Sequence, residues 1–178
     1  MNLVWLDLEM SGLDIQSNKI IEIAVVVTNS KLDILAQGPS LVVFQPESHM
    51  AAMDEWCTKH HAETGLTAEV LESCITERDA EQQVIEFISK WVKKGESPMC
   101  GNSIGTDRSF INKYMPELHS WFHYRNFDVS TLKMANKFWN QAGLEYQKDD
   151  SQQHRAMHDT LESIAEAKFY MVKQYAAR

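Results

Sequence analysis

The sequence contains few of the residues that build fibrous, disulfide-linked or membrane-spanning proteins. Among 178 residues there are only seven glycines and four prolines, which excludes collagen-like and low-complexity chains. Three widely spaced cysteines, Cys57, Cys74 and Cys100, form no C-x-x-C pair, so neither a disulfide framework nor a zinc ribbon is indicated and a reducing cytoplasm is expected. No apolar run approaches a membrane span, and residues 1–11 lack the pattern of a secretory signal, so no membrane partner is predicted.

Basic residues are also scarce relative to acidic ones. Seventeen Lys and Arg against twenty-five Asp and Glu give a formal net charge of −8. Long duplex nucleic acid is therefore not expected as a partner, because such binding comes mainly from phosphate neutralisation. Residues 108–137 differ from the rest, with five basic and two acidic residues against two and nine in 54–86. This local excess of positive charge indicates a confined phosphate pocket. The excess negative charge elsewhere would repel longer strands, which gives, as a hypothesis, a short substrate.

The order of strand and helix patterns predicts an α/β fold. An alternating run at 2–8, a β-branched run at 20–28 and an extended segment at 32–44 together predict an antiparallel meander. A helical stretch over about 50–91 follows, and later strands alternate with helices. The later segments are a strand at 97–100, a helix at 107–115, a strand at 126–129 and a long helix at 156–175. We therefore expect one domain over 1–178, with a mixed sheet flanked by helices.

Two acids, Asp7 and Glu9, lie two residues apart at the end of the first predicted strand. Their side chains therefore share one face, at about 6–7 Å along the backbone. Because their charges repel, such a pair keeps a proton, binds a basic side chain or holds a cation such as Mg²⁺ or Mn²⁺. A D-x-E pattern also arises by chance in so acidic a chain. Its position on an apolar strand favours a cation, because burying uncompensated carboxylates is costly.

Asp107 and Asp159 are two further acids, each in the first turn of a predicted helix. Taken singly, each is explained by the attraction between a carboxylate and the positive end of the helix dipole. Together with Asp7 and Glu9 they place four acids at the ends of structural elements. This is the arrangement that a two-metal phosphoryl-transfer site requires.

His154 precedes Asp159 by five residues, a spacing that would put the two side chains about 140° apart within one helix. We therefore expect His154 on the preceding loop, where a neutral imidazole can accept a proton. Other pairs meet the same H-x4-D spacing or the related Y-x3-D spacing: His49/Asp54, His123/Asp128 and Tyr124/Asp128. We favour His154 and Asp159 because only they open a long terminal helix.

The order D-L-E at 7–9, Asp at 107 and H-x4-D at 154–159 resembles the DEDDh 3′→5′ exonuclease superfamily, whose fold is RNase H-like. Longer strings over the whole chain resemble one family within it, the oligoribonucleases. These strings are WLDLEMSGL (5–13), CGNSIG (100–105), KYMPEL (113–118), FHYR (122–125) and DVSTLK (128–133). They are far more specific than the five catalytic letters, and a proofreading subunit of a DNA polymerase is not expected to share them.

The resemblance implies hydrolysis of short single-stranded RNA, chiefly dinucleotides, to nucleoside 5′-monophosphates by a homodimer. It implies two divalent ions, Mg²⁺ or Mn²⁺, held by Asp7, Glu9, Asp107 and Asp159, with His154 as general base. It also assigns substrate contacts. These are Leu13 as a wedge between the bases, Trp56 and His61 beside base and sugar, Ser103, Arg125, Ser130 and Thr131 around the 5′-phosphate, and Tyr124 reaching across from the other subunit.

The residues alone leave ordinary structural explanations open at these positions. Leu13 and Trp56 are of the types that pack in a core, and Arg125 is flanked by aromatic residues that a surface cation can cover. Ser130 and Thr131 are suited to capping a helix. A helix N-terminus beside an arginine is nevertheless also a site for an anion.

Aromatic residues concentrate in one short segment, which holds six of the chain's seventeen. They are Trp121, Phe122, Tyr124, Phe127, Phe138 and Trp139. Such a concentration favours a subunit interface.

Three other functions remain as alternatives from the sequence. One is a proofreading-type DNA 3′→5′ exonuclease, which a preference for the 2′-hydroxyl would exclude. Another is an RNase H-like module that binds without turnover. The third is a zinc hydrolase built on Cys57, His60, His61 or His158, although these residues lack a second ligand pair at structural spacing.

Overall fold

The computed structural model describes residues 1–139, 145–148 and 154–175. Five strands form one mixed sheet in the order β3-β2-β1-β4-β5. The strands are β1 (Asn2–Met10), β2 (Ile20–Asn29), β3 (Ile34–Val42), β4 (Met99–Gly101) and β5 (Asn126–Asp128). The first three form the predicted antiparallel meander, and β4 and β5 add in parallel beside β1. The predicted α/β fold with a mixed five-stranded sheet is confirmed.

Eight helices accompany the sheet in the described part of the chain. They are α1 (Glu47–Met50), α2 (Glu55–Glu63), α3 (Leu66–Glu72), α4 (Glu77–Ile88), α5 (Gly105–Tyr114), α6 (Pro116–Trp121), α7 (Val129–Trp139) and α8 (Ala156–Tyr175). Over 1–139, 145–148 and 154–175, none of the helices combines the length with the apolar content that crossing a bilayer requires.

The stretch predicted as helical over 50–91 divides into several helices. Gly65, with a left-handed φ of 78°, separates α2 from α3, because glycine adopts this conformation without strain. Thr76 then caps α4 in a complete capping box with Asp79, as these two residue types at this spacing indicate. The breaks follow local turn chemistry that an apolar periodicity does not register.

The two faces of the sheet carry separate hydrophobic cores. Val4 and Leu6 on β1 face a core shared with α4, α5 and α6, whereas Leu3 and Trp5 face a second core with α7 and α8. Since side chains alternate along a strand, the face with Leu3 and Trp5 continues into Asp7 and Glu9. The apolar face of β1 thus becomes acidic where the first turn of α8 meets it.

Candidate active site

Three carboxylates meet where β1 ends. One oxygen each from Asp7, Glu9 and Asp159 can be chosen such that all three lie within 4.8 Å of one another. Glu9 is buried, while Asp7 keeps part of its surface accessible. Oxygen donors at this spacing are suited to a hard divalent cation. Positions 7, 9 and 159 are therefore brought into one group although Glu9 and Asp159 are 150 positions apart in the sequence.

Asp107 stands beside this group, in the first turn of α5. The Leu8 N–H donates a hydrogen bond of 3.0 Å to Asp107 Oδ1, which attaches the carboxylate to the β1 backbone between Asp7 and Glu9. Asp107 is itself buried, and its negative charge raises the pKa of Asp7. All four predicted acids thus lie at one end of the sheet.

The acids are destabilised as anions by their surroundings. Burial raises the pKa of Asp7 well above its ordinary value, and the charges of Asp107 and Glu9 raise it further. Burial together with Asp159 and Glu22 raises the pKa of Glu9 to about 8, and burial raises the pKa of Asp107 to about 7. In the described part of the chain no Lys or Arg forms an ion pair with Asp7, Glu9 or Asp107. These carboxylates therefore fit a divalent cation, which would supply the missing positive charge.

This electrostatic arrangement predicts how stability depends on pH in the absence of metal. An acid whose pKa is raised by folding stabilises the fold below its unfolded value, and that contribution is lost as pH rises through the folded value. With chelator present, the melting temperature should therefore fall between about pH 5 and pH 8, the window set by Glu9 and Asp107. Each unit of pKa shift corresponds to about 1.4 kcal/mol.

Thermal melts of the wild type and of Glu9→Gln, at pH 5.5 and pH 8.5 in chelator, check this prediction. At pH 8.5 the melting temperature of the variant should exceed that of the wild type by several degrees, and at pH 5.5 the two should differ little. A difference between the two proteins that does not change with pH would contradict it.

His154 lies before α8, as expected, in a left-handed conformation with a φ of 69°. Its backbone N–H donates to Asp159 Oδ2 at 3.1 Å, so the H-x4-D spacing brings the carboxylate back to the histidine's own backbone. The imidazole ring stands edge-on to the rings of Trp56 and His60, with both centroid distances 5.1 Å. The backbone of His154 therefore contacts one of the acids, Asp159, and its ring contacts two residues of α2.

The competing pairs from the sequence lie elsewhere. His49 Nε2 is 2.9 Å from the Ser11 hydroxyl, and Asp54 caps α2 through the Cys57 N–H. Asp128 accepts hydrogen bonds from Ser103 and Ser130. Within the described residues, the one group of metal-ligating side chains consists of Asp7, Glu9 and Asp159, which distinguishes the 154/159 pair from the others.

The zinc alternative does not agree with the structure. Cys57 is buried and its thiol pKa is raised to about 11, which keeps the sulfur protonated and a poor ligand. His60 bonds the Trp56 carbonyl and His61 bonds the Met10 carbonyl. Over 1–139, 145–148 and 154–175 these residues and His158 do not form a metal-ligating group.

A cavity of about 400 Å³ opens beside the acids. It is lined by Glu9, Met10, Gly12, Leu13, Asp54, Trp56, Cys57 and His61. Leu13 is 76% exposed and Trp56 is 52% exposed, so neither residue packs in a core as ordinary sequence reasoning suggests. His61 is buried at the cavity wall, where its Nε2 donates a hydrogen bond of 3.0 Å to the Met10 carbonyl. Leu13, Trp56 and His61, which the resemblance places beside the bases and the sugar, thus line one cavity together with Glu9.

The loop that carries Leu13 is fixed by the end of α5. Lys113 Nζ donates to the Ile15 carbonyl at 2.6 Å, and the Tyr114 hydroxyl donates to the Asn18 carbonyl at 2.8 Å. Lys19 lies over the Tyr114 ring, 4.1 Å from its centroid. An exposed leucine is therefore presented on a well-bonded loop.

Two of the predicted phosphate-binding residues, Ser103 and Ser130, bond Asp128 at the end of β5. The Ser103 N–H, with Ser103 in a left-handed conformation, donates to Asp128 Oδ1 at 3.0 Å. The Ser130 hydroxyl donates to the same oxygen at 2.6 Å. Asp128 is the side chain that caps α7, so the expectation that Ser130 and Thr131 cap this helix was wrong. Aspartate accepts at the cap, and Ser130 and Thr131 are the second and third residues of the helix, within its first turn.

Arg125 and Tyr124 form an exposed pair beside this group, with the guanidinium carbon 5.2 Å from the ring centroid. Their segment is held by Arg108, a residue that the sequence analysis did not single out. Arg108 donates to the His123 carbonyl at 2.8 Å and to Asn126 Oδ1 at 2.6 Å. Arg108 follows Asp107 directly, so the same helix turn contributes an acid to the carboxylate group and holds residues 123–126, the basic segment that contains Arg125.

Glu22 and Arg155 are two further residues of the site that the sequence analysis missed. Glu22 is buried on β2 directly opposite Glu9, and Arg155 Nη2 lies 3.1 Å from its carboxylate. A signal was present, since a single charged residue interrupts the apolar run IIEIAVVV. Such a residue requires a buried partner.

Comparisons with known proteins identify the family. The RNase_T model, described as Exonuclease, matches residues 4–167. An oligoribonuclease of Vibrio parahaemolyticus is 55% identical over 170 residues, covering 95% of this chain and 93% of that protein. An oligoribonuclease of Francisella tularensis is 49% identical over 172 residues, covering 97% and 95%.

Solved structures of exonuclease I share the fold. One has a TM-score of 0.79 at 14% identity and covers 97% of this chain. Escherichia coli exonuclease I in complex with a dA16 oligonucleotide has a TM-score of 0.75 at 15% identity. This chain spans 41% of the length of both. From the family model and the two curated relatives together, the chain belongs to the RNase_T exonuclease family and, within it, to the oligoribonucleases.

Proposed function

We propose that this nuclease removes nucleotides from the 3′ end of short single-stranded RNA, chiefly dinucleotides, and releases nucleoside 5′-monophosphates. The observation that supports this most is that the cavity with Leu13 and Trp56 shares Glu9 with the acidic group. A base held in the cavity thus lies next to the reactive end. At about 400 Å³ the cavity is of the size that small ligands occupy, roughly 300–1,000 Å³, which favours a short substrate.

Asp7, Glu9, Asp107 and Asp159 would hold two divalent ions, and we propose Mg²⁺ or Mn²⁺ because the donors are all oxygens. When bound, such ions supply positive charge at the scissile phosphate and lower the pKa of water. The chain's part is to fix the donors. Asp107 is held by the Leu8 N–H and Asp159 by the His154 N–H, so each carboxylate has an oriented plane before any ion arrives.

His154 is proposed as the general base. Its backbone N–H bonds Asp159 and its imidazole stands edge-on to Trp56 and His60, and we propose that from this position the ring accepts a proton from the attacking water. Neither ring nitrogen is required for holding an ion, because His154 meets Asp159 through its backbone. Base catalysis and metal binding are therefore separable functions in this site.

The basic segment is proposed to grip the 5′-phosphate of the short substrate. Arg125 supplies a guanidinium suited to bidentate phosphate binding, and Ser103, Ser130 and Thr131 surround the start of α7. A phosphate gripped at a fixed distance from the acids would select for length.

We further propose a homodimer. Tyr124, Phe138 and Trp139 are 73%, 67% and 83% exposed. Large exposed aromatic side chains are enriched at subunit interfaces. In such a dimer Tyr124 reaches the substrate bound by the other subunit.

The test is hydrolysis of a 5′-labelled diribonucleotide, with and without chelator, beside a twenty-nucleotide RNA and the matching deoxy-dinucleotide. We expect metal-dependent release of mononucleotide, with the diribonucleotide turned over far faster than either of the others. Equal turnover of the two RNA lengths would refute the short-substrate proposal. Faster turnover of the deoxy-dinucleotide would favour the DNA exonuclease alternative.

A further inference from the structure

Arg155, the residue between His154 and the start of α8, is bonded to two carboxylates from different parts of the chain. Its Nε and Nη2 lie 3.2 Å and 3.1 Å from the two oxygens of Glu22 on β2. Its Nη1 and Nη2 lie 3.1 Å and 2.8 Å from the two oxygens of Glu69 on α3. Two two-point contacts use the planar fork of the guanidinium fully, which a lysine cannot reproduce.

Glu22 completes the attachment of α8 to the sheet. Besides Arg155, its carboxylate accepts the N–H of Ala156, the first residue of α8, at 3.1 Å, and the Ser40 hydroxyl at 3.3 Å. Its side chain is 1% exposed, and it stands opposite Glu9 in the β1–β2 register. The helix start is thus bonded to the strand position next to a proposed metal ligand.

His154 is held on both sides of its own residue. Its N–H bonds Asp159, and the residue after it is fixed by Glu22 and Glu69. This matters because His154 has a φ of 69°, a conformation that a residue with a Cβ adopts only when its surroundings enforce it. The edge-on contacts of its ring with Trp56 and His60 depend on that backbone conformation.

We propose that Arg155, held between Glu22 and Glu69, is a positioning residue that sets the orientation of the His154 imidazole toward the substrate. This rests on the function proposed above, in which His154 is the base. Arg155 itself binds neither ion nor RNA in this scheme. Its guanidinium forms ion pairs with Glu22 and Glu69. The carboxylates of Asp7, Glu9 and Asp159 therefore stay available to the proposed ions.

The first experiment is a double-mutant cycle between Arg155→Lys and His154→Ala, measured at saturating metal. Arg155→Lys keeps the charge but loses the fork, so kcat should fall about 10–100-fold with KM within about twofold, the scale expected for a displaced catalytic group. In the His154→Ala background the same change should cost less than about twofold, because two residues that act through one group are not additive. An undiminished loss in that background would overturn the proposal.

A second readout does not depend on activity or metal. The His154 ring protons, assigned by their disappearance in His154→Ala, should show a nuclear magnetic resonance shift in metal-free Arg155→Lys, because the ring lies against the indole of Trp56. Unchanged resonances in a folded variant would also refute the proposal.

Glu69→Gln provides a milder variant, since Glu69 is about half exposed and its loss leaves the Arg155–Glu22 pair intact. It should lower kcat and shift the same resonances less than Arg155→Lys does. Glu72→Gln on the same helix, an exposed residue with the same change of charge, is the matched control and should do neither. If the wild type failed to cleave short RNA, the proposed function itself would fall. If wild-type activity and the His154→Ala loss were present but Arg155→Lys behaved as wild type, only this inference would fail.

Discussion

Asp7→Asn is expected to reduce kcat by more than ~10³-fold and at the same time to raise the melting temperature of the metal-free protein. The activity should fall because an amide offers a neutral oxygen where the proposed ions would require an anionic one. The stability rises because burial and the charges of Asp107 and Glu9 disfavour the ionised carboxylate. Removing one buried like charge should be worth about 2 kcal/mol, which corresponds to a few degrees in a chain of this size.

Turnover of a diribonucleotide and thermal melts in chelator measure the two effects on one sample. Glu72→Gln, which removes an exposed negative charge from α3, should leave both quantities unchanged. An Asp7→Asn protein that is inactive and also less stable without metal would indicate a structural role for the carboxylate. That result would remove the electrostatic argument for a metal site.

His154→Ala is the second large effect, with an expected loss of about 10²–10⁴ in kcat, the usual contribution of a general base. The metal concentration needed for half-maximal residual activity should change little. The backbone N–H that His154 donates to Asp159 remains in alanine. The variant therefore removes the proposed proton acceptor and keeps the proposed ligand, Asp159, in place.

Titration of the residual activity with Mn²⁺, beside the same titration of Asp159→Asn, separates the two functions. Asp159→Asn should need markedly more metal, because its carboxylate is one of the three clustered donors. If His154→Ala kept full activity near neutral pH, the assignment of the base would be wrong. If both variants showed the same increase in metal requirement, His154 would be acting on the ions and not on a proton.

The sequence predicted the parts of the site that depend on local pattern. Strand alternation placed Asp7 and Glu9 on one face, and the helix start at residue 156 placed His154 on a loop, because both follow from backbone periodicity. The fold class followed from the order of strands and helices. The position at the start of a long terminal helix selected His154 and Asp159 among several pairs with the same spacing, and the carboxylate cluster agrees with that selection.

Interactions between distant residues were not predictable in the same way. The bond between Glu22 and Arg155 joins residues 133 positions apart, and no periodicity connects them. Capping of α7 by Asp128 was also missed, because Ser, Thr and Asp all favour that position and only the observed geometry distinguishes them. The raised pKa values of the acids depend on burial, which only the packed structure provides.

The attachment of the Leu13 loop to α5 has a consequence for how the enzyme measures its substrate. The first turn of α5 carries Asp107 and its last turn bonds the loop through Lys113 and Tyr114, so a single helix about 15 Å long connects a proposed metal ligand with the loop that carries Leu13, the proposed wedge. Under the proposed function, this separation would be set before RNA arrives and would not lengthen for an additional nucleotide. Selection for length would then need no closing motion, and binding a dinucleotide would incur little cost of reorganisation.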